Sequence, residues 1–114
     1  MKITLFNLPK LSTNKIYAGI HWRDRRDHKY DYTLLTNSMK KLAPIDQLVD
    51  LEFTFYFKKN AMDSSNCSYM GKLLEDCLVL HGVLKDDTIK FVRKVSYQSL
   101  KDKDERCEIE IKLL

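Results

Sequence analysis

Residues 49–57 read VDLEFTFYF, and this stretch decides the fold of the 114-residue chain. Apolar and polar side chains alternate along it, which is the period of an extended strand. One face of that strand therefore carries only apolar side chains, namely Val49, Leu51, Phe53, Phe55 and Phe57. Branched and aromatic side chains in this arrangement predict a strand in the core of a β-sheet.

The segments on either side predict the remaining elements. Residues 2–6 alternate like a strand. Residues 29–42 predict a helix that Pro44 ends, because apolar side chains recur at helical spacing, namely Tyr30, Leu34, Leu35, Met39 and Leu42. Residues 67–80 predict a second helix, with Gly82 just past its end. Its buried stripe is expected to contain Met70, Leu73, Leu74, Cys77 and Leu78.

Two further strands are expected near the end of the chain, one around Val92 and Val95 and one around residues 109–113. The charged turn from residue 101 to residue 105 predicts that these two strands form a hairpin. The sequence thus indicates an α+β fold in a single compact domain spanning residues 1–114. We expect a mixed or antiparallel sheet of about four strands with two main helices.

Composition limits the class of protein. The chain is 44% hydrophobic and 32% charged, and no apolar run approaches the roughly 20 residues that span a bilayer. We therefore expect no membrane association and a cytoplasmic location. Glycine occurs only at positions 19, 71 and 82, which excludes a glycine-rich phosphate loop. The three cysteines contain no CxxC pair and are expected to be buried and apolar in character.

Positive charge is concentrated in the first third of the chain. Seven basic and three acidic residues lie between Asn14 and Lys41, although the whole chain carries only +4. Basic residues interleaved with aromatic ones suit a surface that meets phosphates and stacks on bases. The candidate DNA-binding residues are Asn14, Lys15, Tyr17, Trp22, Arg23, Arg25, Arg26 and Lys29. The alternative is a solvated surface loop in which Trp22 packs on the core.

Acidic residues flank the predicted second helix. Asp63-Ser64-Ser65-Asn66 precedes it, Lys72 and Asp76-Cys77-Leu78 lie within it, and residues 82–89 follow as GVLKDDTI. The helix would be roughly 20 Å long, so Asp63 and Asp87 start at opposite ends of it. Spacing alone favours helix caps over a metal site.

The same segments resemble the RusA family of Holliday junction resolvases. That family carries Asp-x-Asp-Asn after a core strand, a lysine in the next helix, Asp-x-Leu, and then Gly-Val/Ile-x-x-Asp-Asp. The early segment Ser12-Thr13-Asn14-x-x-Tyr17 also resembles the family's Ser-x-Asn-x-x-Tyr segment. The resemblance therefore touches most of the chain and implies a RusA-like fold.

The resemblance implies a Mg²⁺-dependent endodeoxyribonuclease of recombination and repair, with Mn²⁺ as a substitute metal. Its substrate would be branched DNA, namely a four-way junction, in the cytoplasm of a bacterial or phage-infected cell. Catalytic roles carry over to Asp63, Lys72 and Asp87. Asp63 and Asp87 would hold the metal, with Asp86 as a reserve ligand. Cutting both strands symmetrically implies a homodimer with one site per subunit.

The chain departs from the family pattern at Ser65, which stands where the second motif aspartate is expected. A serine hydroxyl brings no charge to a metal site, whereas Asn66 matches the motif and supports the site with a carbonyl oxygen. Three alternatives follow: an active resolvase, a catalytically silent relative that binds branched DNA, and an α+β protein whose partner is unrelated to DNA.

Overall fold

The computed structural model describes residues 1–19 and 22–114, without the side chains of Tyr17 and Trp22. Its strands are β1 (Lys2–Phe6), β2 (Val49–Phe57), β3 (Val92–Lys101) and β4 (Arg106–Leu113). Its α-helices are α1 (Thr13–Tyr17), α2 (Trp22–Leu35) and α3 (Ser68–Leu80). Short 3₁₀ helices span Asn37–Lys41 and Ser64–Cys67. The predicted α+β fold, with a four-stranded mixed sheet, is confirmed.

The strand β2 lies inside the sheet, as its alternation predicts. The sheet order is β1-β4-β2-β3, with β2 parallel to β3 and antiparallel to β4. Every second residue of β2 is buried, and Val49 and Leu51 are completely inaccessible to solvent. The helix α3 connects β2 to its parallel neighbour β3, as parallel pairs require.

The predicted hairpin of the last two strands is wrong. The strands β3 and β4 are consecutive in the chain, but β2 lies between them in the sheet. The turn that joins them passes the end of β2, where the Asp102 N–H donates a hydrogen bond to the Phe57 carbonyl (3.0 Å). Short turns usually join neighbouring strands, and here α3 has already placed β3 on the far side of β2.

The prediction of a helix over residues 29–42 is wrong in its bounds, and of its five apolar positions only Met39 is fully buried. The helix α2 begins at Trp22, so the basic stretch is helical, and a 3₁₀ helix replaces the last predicted turn. Tyr30, Leu34 and Leu35 are exposed, whereas Tyr32 is completely buried. The Tyr32 hydroxyl donates a hydrogen bond to the Pro9 carbonyl (2.6 Å), which anchors α2 to the segment after β1.

The helix α3 has the buried stripe that its sequence predicts. Met70, Leu73, Leu74, Cys77 and Leu78 all belong to the core, and all three cysteines of the chain are buried and free. Gly82 follows the helix with φ +80°, a conformation that favours glycine. No helix within residues 1–19 and 22–114 has both the length and the apolar character to cross a membrane.

Candidate functional site around Lys72

Three carboxylates surround the ammonium group of Lys72 on the exposed side of α3. Its Nζ lies 2.6 Å from Asp87 Oδ2, 3.2 Å from Asp76 Oδ1 and 3.8 Å from Glu75 Oε1. We call Lys72, Glu75, Asp76 and Asp87 the Lys72 cluster. Two of its carboxylates lie on α3 itself, at the spacings where helical side chains are neighbours. The third comes from the loop that follows the helix.

The loop after α3 runs back along the helix and so brings Asp87 to Lys72. Val83 and Leu84 are buried, and the Val83 carbonyl accepts a hydrogen bond from the Ile45 N–H (2.8 Å). The Asp86 carboxylate accepts a hydrogen bond from the Asp87 N–H (2.8 Å), which fixes the turn at this point. Asp86 therefore lies beside the cluster and orients Asp87.

The charges of the Lys72 cluster shift one another's pKa values. The hydrogen bond from Lys72 lowers the pKa of Asp87, and the same contact raises the pKa of Lys72. Burial raises the pKa of Glu75, although Lys72 opposes that shift. The site is therefore a fixed cation between two half-buried carboxylates and one buried carboxyl group. Sequence reasoning missed Glu75, but its position three residues after Lys72 could have indicated it.

Asp63 lies apart from this cluster. It precedes the 3₁₀ helix Ser64–Cys67, where its carbonyl accepts a hydrogen bond from the Asn66 N–H (2.9 Å). Its side chain and that of Ser65 are exposed. Within residues 1–19 and 22–114, no hydrogen bond or ion pair joins Asp63 to Asp87. The structure therefore brings Lys72, Asp86 and Asp87 together, and Asp63 is not among their contacts.

The early segment and the Asp63–Asn66 segment contact each other. Thr13 Oγ1 donates a hydrogen bond to the Asn66 carbonyl (3.0 Å), accepts one from the Tyr69 N–H (2.9 Å) and lies 2.9 Å from Ser68 Oγ. Asn66 Oδ1 accepts a hydrogen bond from the Asn14 N–H (3.1 Å). Asn66 thus fastens α1 to the start of α3, a role that its place in the motif does not reveal.

Replacing Thr13 with valine is expected to lower the free energy of unfolding by about 1–2 kcal/mol. Valine keeps the shape of the side chain but loses the hydroxyl that accepts a hydrogen bond from the Tyr69 N–H in the first turn of α3. Urea denaturation followed by circular dichroism measures the loss. The matched control is Thr33→Val, since the Thr33 hydroxyl donates to the Lys29 carbonyl (2.7 Å) and does not bond to the first turn of α3. Equal losses in the two variants would show that Thr13 does not cap α3.

The oxygen atoms of Asp86 and Asp87 are the donors beside Lys72 that could hold a magnesium ion. Mg²⁺ takes oxygen ligands and is commonly held by one or two carboxylates, with water and substrate phosphates completing its shell. Asp86 and Asp87 offer such a pair of adjacent carboxylates. Among the residues that the structure describes, no three His, Cys, Asp or Glu side chains are arranged to hold a metal ion. These two carboxylates therefore suit a metal ion that also binds a substrate phosphate better than they suit a metal site formed by protein side chains alone.

Exposed basic side chains lie on α2, next to the Lys72 cluster. Arg23, Arg25, Arg26 and Lys29 are all exposed. Lys29 lines a cleft of about 320 Å³ together with Asp76 and Asp87 of the cluster. Asn14 and Lys15 are exposed on α1. Of these predicted cations, Lys29 therefore borders the cluster, whereas the side chains of Tyr17 and Trp22, the two predicted stacking residues, lie outside the described part.

Comparison with known proteins gave no match, either to a protein-family model or to a curated protein.

Proposed function

We propose that this chain is a RusA-like, structure-specific endodeoxyribonuclease that cuts four-way DNA junctions with Mg²⁺ and accepts Mn²⁺ instead. The contact between Lys72 and Asp87 carries the proposal. Two separate parts of the family-like pattern, the lysine in α3 and the Asp-Asp segment after it, meet at 2.6 Å. If the ion pair had only a structural role, there would be no reason for both of its residues to match positions of a nuclease family pattern.

Phosphodiester hydrolysis accumulates negative charge on the attacking and leaving oxygens. When bound, a divalent metal ion neutralises part of that charge and activates water. Asp87 and Asp86 would hold the ion, and Lys72 would place a fixed positive charge at the scissile phosphate. The neighbouring side chains of α2 would contact phosphates on either side, chiefly Arg25 and Lys29, with Arg23 and Arg26 beside them. Two coordinated cuts require two such sites, hence a homodimer.

The second candidate is a catalytically silent relative that binds branched DNA. Two observations favour it: Ser65 replaces a motif carboxylate, and Asp63 makes no contact with the Lys72 cluster among the described residues. In such a protein the Lys72 cluster would be a surface ion-pair network that holds no metal ion. The basic face of α2 would then bind DNA without cutting it.

Cleavage of a synthetic four-way junction in the presence of Mg²⁺ tests the first candidate. Asp87→Asn is expected to slow cleavage by at least about 100-fold, the loss typical when one charge-stabilising group leaves an active site. Asp63→Asn is compared in the same assay. Asp46→Asn serves as the control, since Asp46 is exposed in the loop before β2. Equal rates for wild type and Asp87→Asn would refute the assignment.

Ser65→Asp distinguishes the two candidates. If the natural chain binds junctions without cutting them and Ser65→Asp cuts, the silent candidate is correct. If both cut, the missing carboxylate is not required. DNA binding measured at two salt concentrations tests the third alternative, a protein whose partner is unrelated to DNA. Affinity that rests on phosphate contacts falls steeply as the salt concentration rises. No salt-dependent binding to any DNA would exclude both candidates.

A further inference from the structure

A second cleft, of about 380 Å³, lies on the other side of Lys72, between α1, α2, α3 and β3. Its lining includes Arg25, Ser68, Tyr69, Lys72 and Tyr97. Lys72 belongs both to this cleft and to the Lys72 cluster. A group bound in the cleft would therefore contact the ammonium that holds Asp87.

Two tyrosine rings of this cleft are held in place by the protein. The Tyr69 hydroxyl lies 3.1 Å from His28 Nδ1, and the two rings meet edge to face at 5.9 Å. The Tyr97 ring stacks on Phe53 with centroids 5.6 Å apart. Both tyrosines remain partly accessible to solvent. Rings fixed in this way lose little conformational freedom when a planar ligand packs against them.

The cleft also carries positive charge and a hydrogen-bonding group. Arg25 is exposed, and the side chain of Lys72 is 58% exposed. Among the described residues, the Tyr97 hydroxyl has no hydrogen-bond partner, so it can serve a ligand. Aromatic surface, two cations and a free hydroxyl are what a single nucleotide requires: stacking for its base and positive charge for its phosphates.

We propose that this cleft binds one unstacked nucleotide of the DNA, with its base against Tyr69 and Tyr97 and its phosphates at Arg25 and Lys72. The inference rests on the proposed function, because it states which part of the branched DNA the protein recognises. The volume of the cleft lies within the range of about 300–1,000 Å³ that small-molecule pockets span. Bases are fully stacked in a continuous duplex but are accessible where strands part, so the cleft would favour branched over linear DNA.

Single strands of equal charge test the proposal without a junction or a metal. One probe is fluorescein-labelled hexathymidylate, and the other is the same labelled strand with abasic sites at all six positions. Fluorescence anisotropy gives the two dissociation constants. The wild-type chain is expected to bind the strand with bases about 5- to 150-fold more tightly, the range typical of one base–aromatic stack. Equal affinities would overturn the proposal.

Variants of cleft residues test whether the tighter binding of the strand with bases arises in the cleft. Tyr69→Leu should bring the affinity ratio close to one, whereas Tyr30→Leu, which changes an exposed tyrosine of α2 outside the cleft, should leave it unchanged. Arg25→Gln changes an exposed side chain and should weaken binding of both strands alike, lowering the salt slope by about one. An affinity ratio unaffected by Tyr69→Leu in folded protein, or an unchanged affinity for both strands in Arg25→Gln, would also overturn the proposal.

These results separate the cleft from the proposed function. Junction binding with an affinity ratio of one would leave the function standing and remove the nucleotide site. A base preference without junction binding or cleavage would keep the site and remove the function.

Discussion

Replacing Gly71 with alanine is expected to lower the free energy of unfolding by about 1–3 kcal/mol, because an added methyl group overpacks this part of the core. A Cβ at this position would lie 2.9 Å from Tyr97 Cδ1 and Cζ and closer still to Cε1. At an exposed helical position the same change would stabilise by about 0.5–1 kcal/mol. The sign of the effect therefore reports how closely α3 lies on β3. Urea denaturation of both proteins measures it.

The same substitution made in a Tyr97→Val variant shows whether contact with the Tyr97 ring causes the destabilisation. In Tyr97→Val the ring is gone and valine still suits a strand, so Gly71→Ala in that background should be neutral or stabilising. The difference between the two backgrounds is the interaction energy of the pair. Destabilisation by the same amount in both would show that the close approach to Tyr97 is not the cause.

Replacing Lys72 with methionine is expected to reduce junction cleavage by about 100- to 1,000-fold, because the variant keeps the length of the side chain but loses the charge at the phosphate. Binding of linear duplex DNA should change little, since Arg23, Arg25, Arg26 and Lys29 remain. Lys40→Met is the control, because Lys40 is exposed on the 3₁₀ helix Asn37–Lys41. Full cleavage activity in Lys72→Met would show that this lysine only pairs with carboxylates.

The same variant has a signature in its stability that needs no catalysis. The pKa of Asp87 is lowered in the folded state, so its pairing stabilises the fold above its ordinary pKa of 3.8 and is lost as the pH falls through the lowered value. Without Lys72 that stabilisation disappears. The pKa of Glu75, already raised by burial, rises further, so ionised Glu75 opposes folding more strongly as the pH increases.

The difference in unfolding free energy between wild type and Lys72→Met should therefore grow between about pH 4 and about pH 7. Its size should stay below about 1 kcal/mol, because the lysine side chain is 58% exposed and solvent screens the pairs. Urea denaturation at the two pH values measures it, with Lys40→Met as the reference. A difference that does not depend on pH would contradict the assigned coupling.

The sequence predicts individual strands and helices better than their arrangement. The bounds of β2 and the buried stripe of α3 follow from periodicity, because the period states which side chains face the core. Periodicity does not state which strand is the neighbour, so the insertion of β2 between β3 and β4 could not be read from it. In α2 the apolar spacing was misleading, since Tyr30 and Leu34 face solvent and Tyr32 is buried through its bond to Pro9.

The contacts of the candidate site could likewise be predicted only in part from the sequence. The meeting of Lys72 with Asp87 was indicated by the motif, whereas the role of Thr13 at the start of α3 was not, because a contact between residues 13 and 69 leaves no periodic signal. The clefts on the two sides of Lys72 depend on how α2 lies against α3, which neither element determines alone. Asp63 shows the converse: a matching motif position does not by itself place a side chain in the cluster.

The pairing of β1 with β4 has a consequence for how the chain folds during synthesis. Lys2 is opposite Glu110 in the sheet, so β1 has no partner strand until the last residues of β4 have been made. The unit β2-α3-β3 is contiguous and can assemble earlier, but one edge of β2 then stays open to other chains. Contacts so distant in sequence slow folding, and the unpaired edges make the incomplete chain prone to aggregate. The nascent protein is therefore most vulnerable just before residues 106–113 are added.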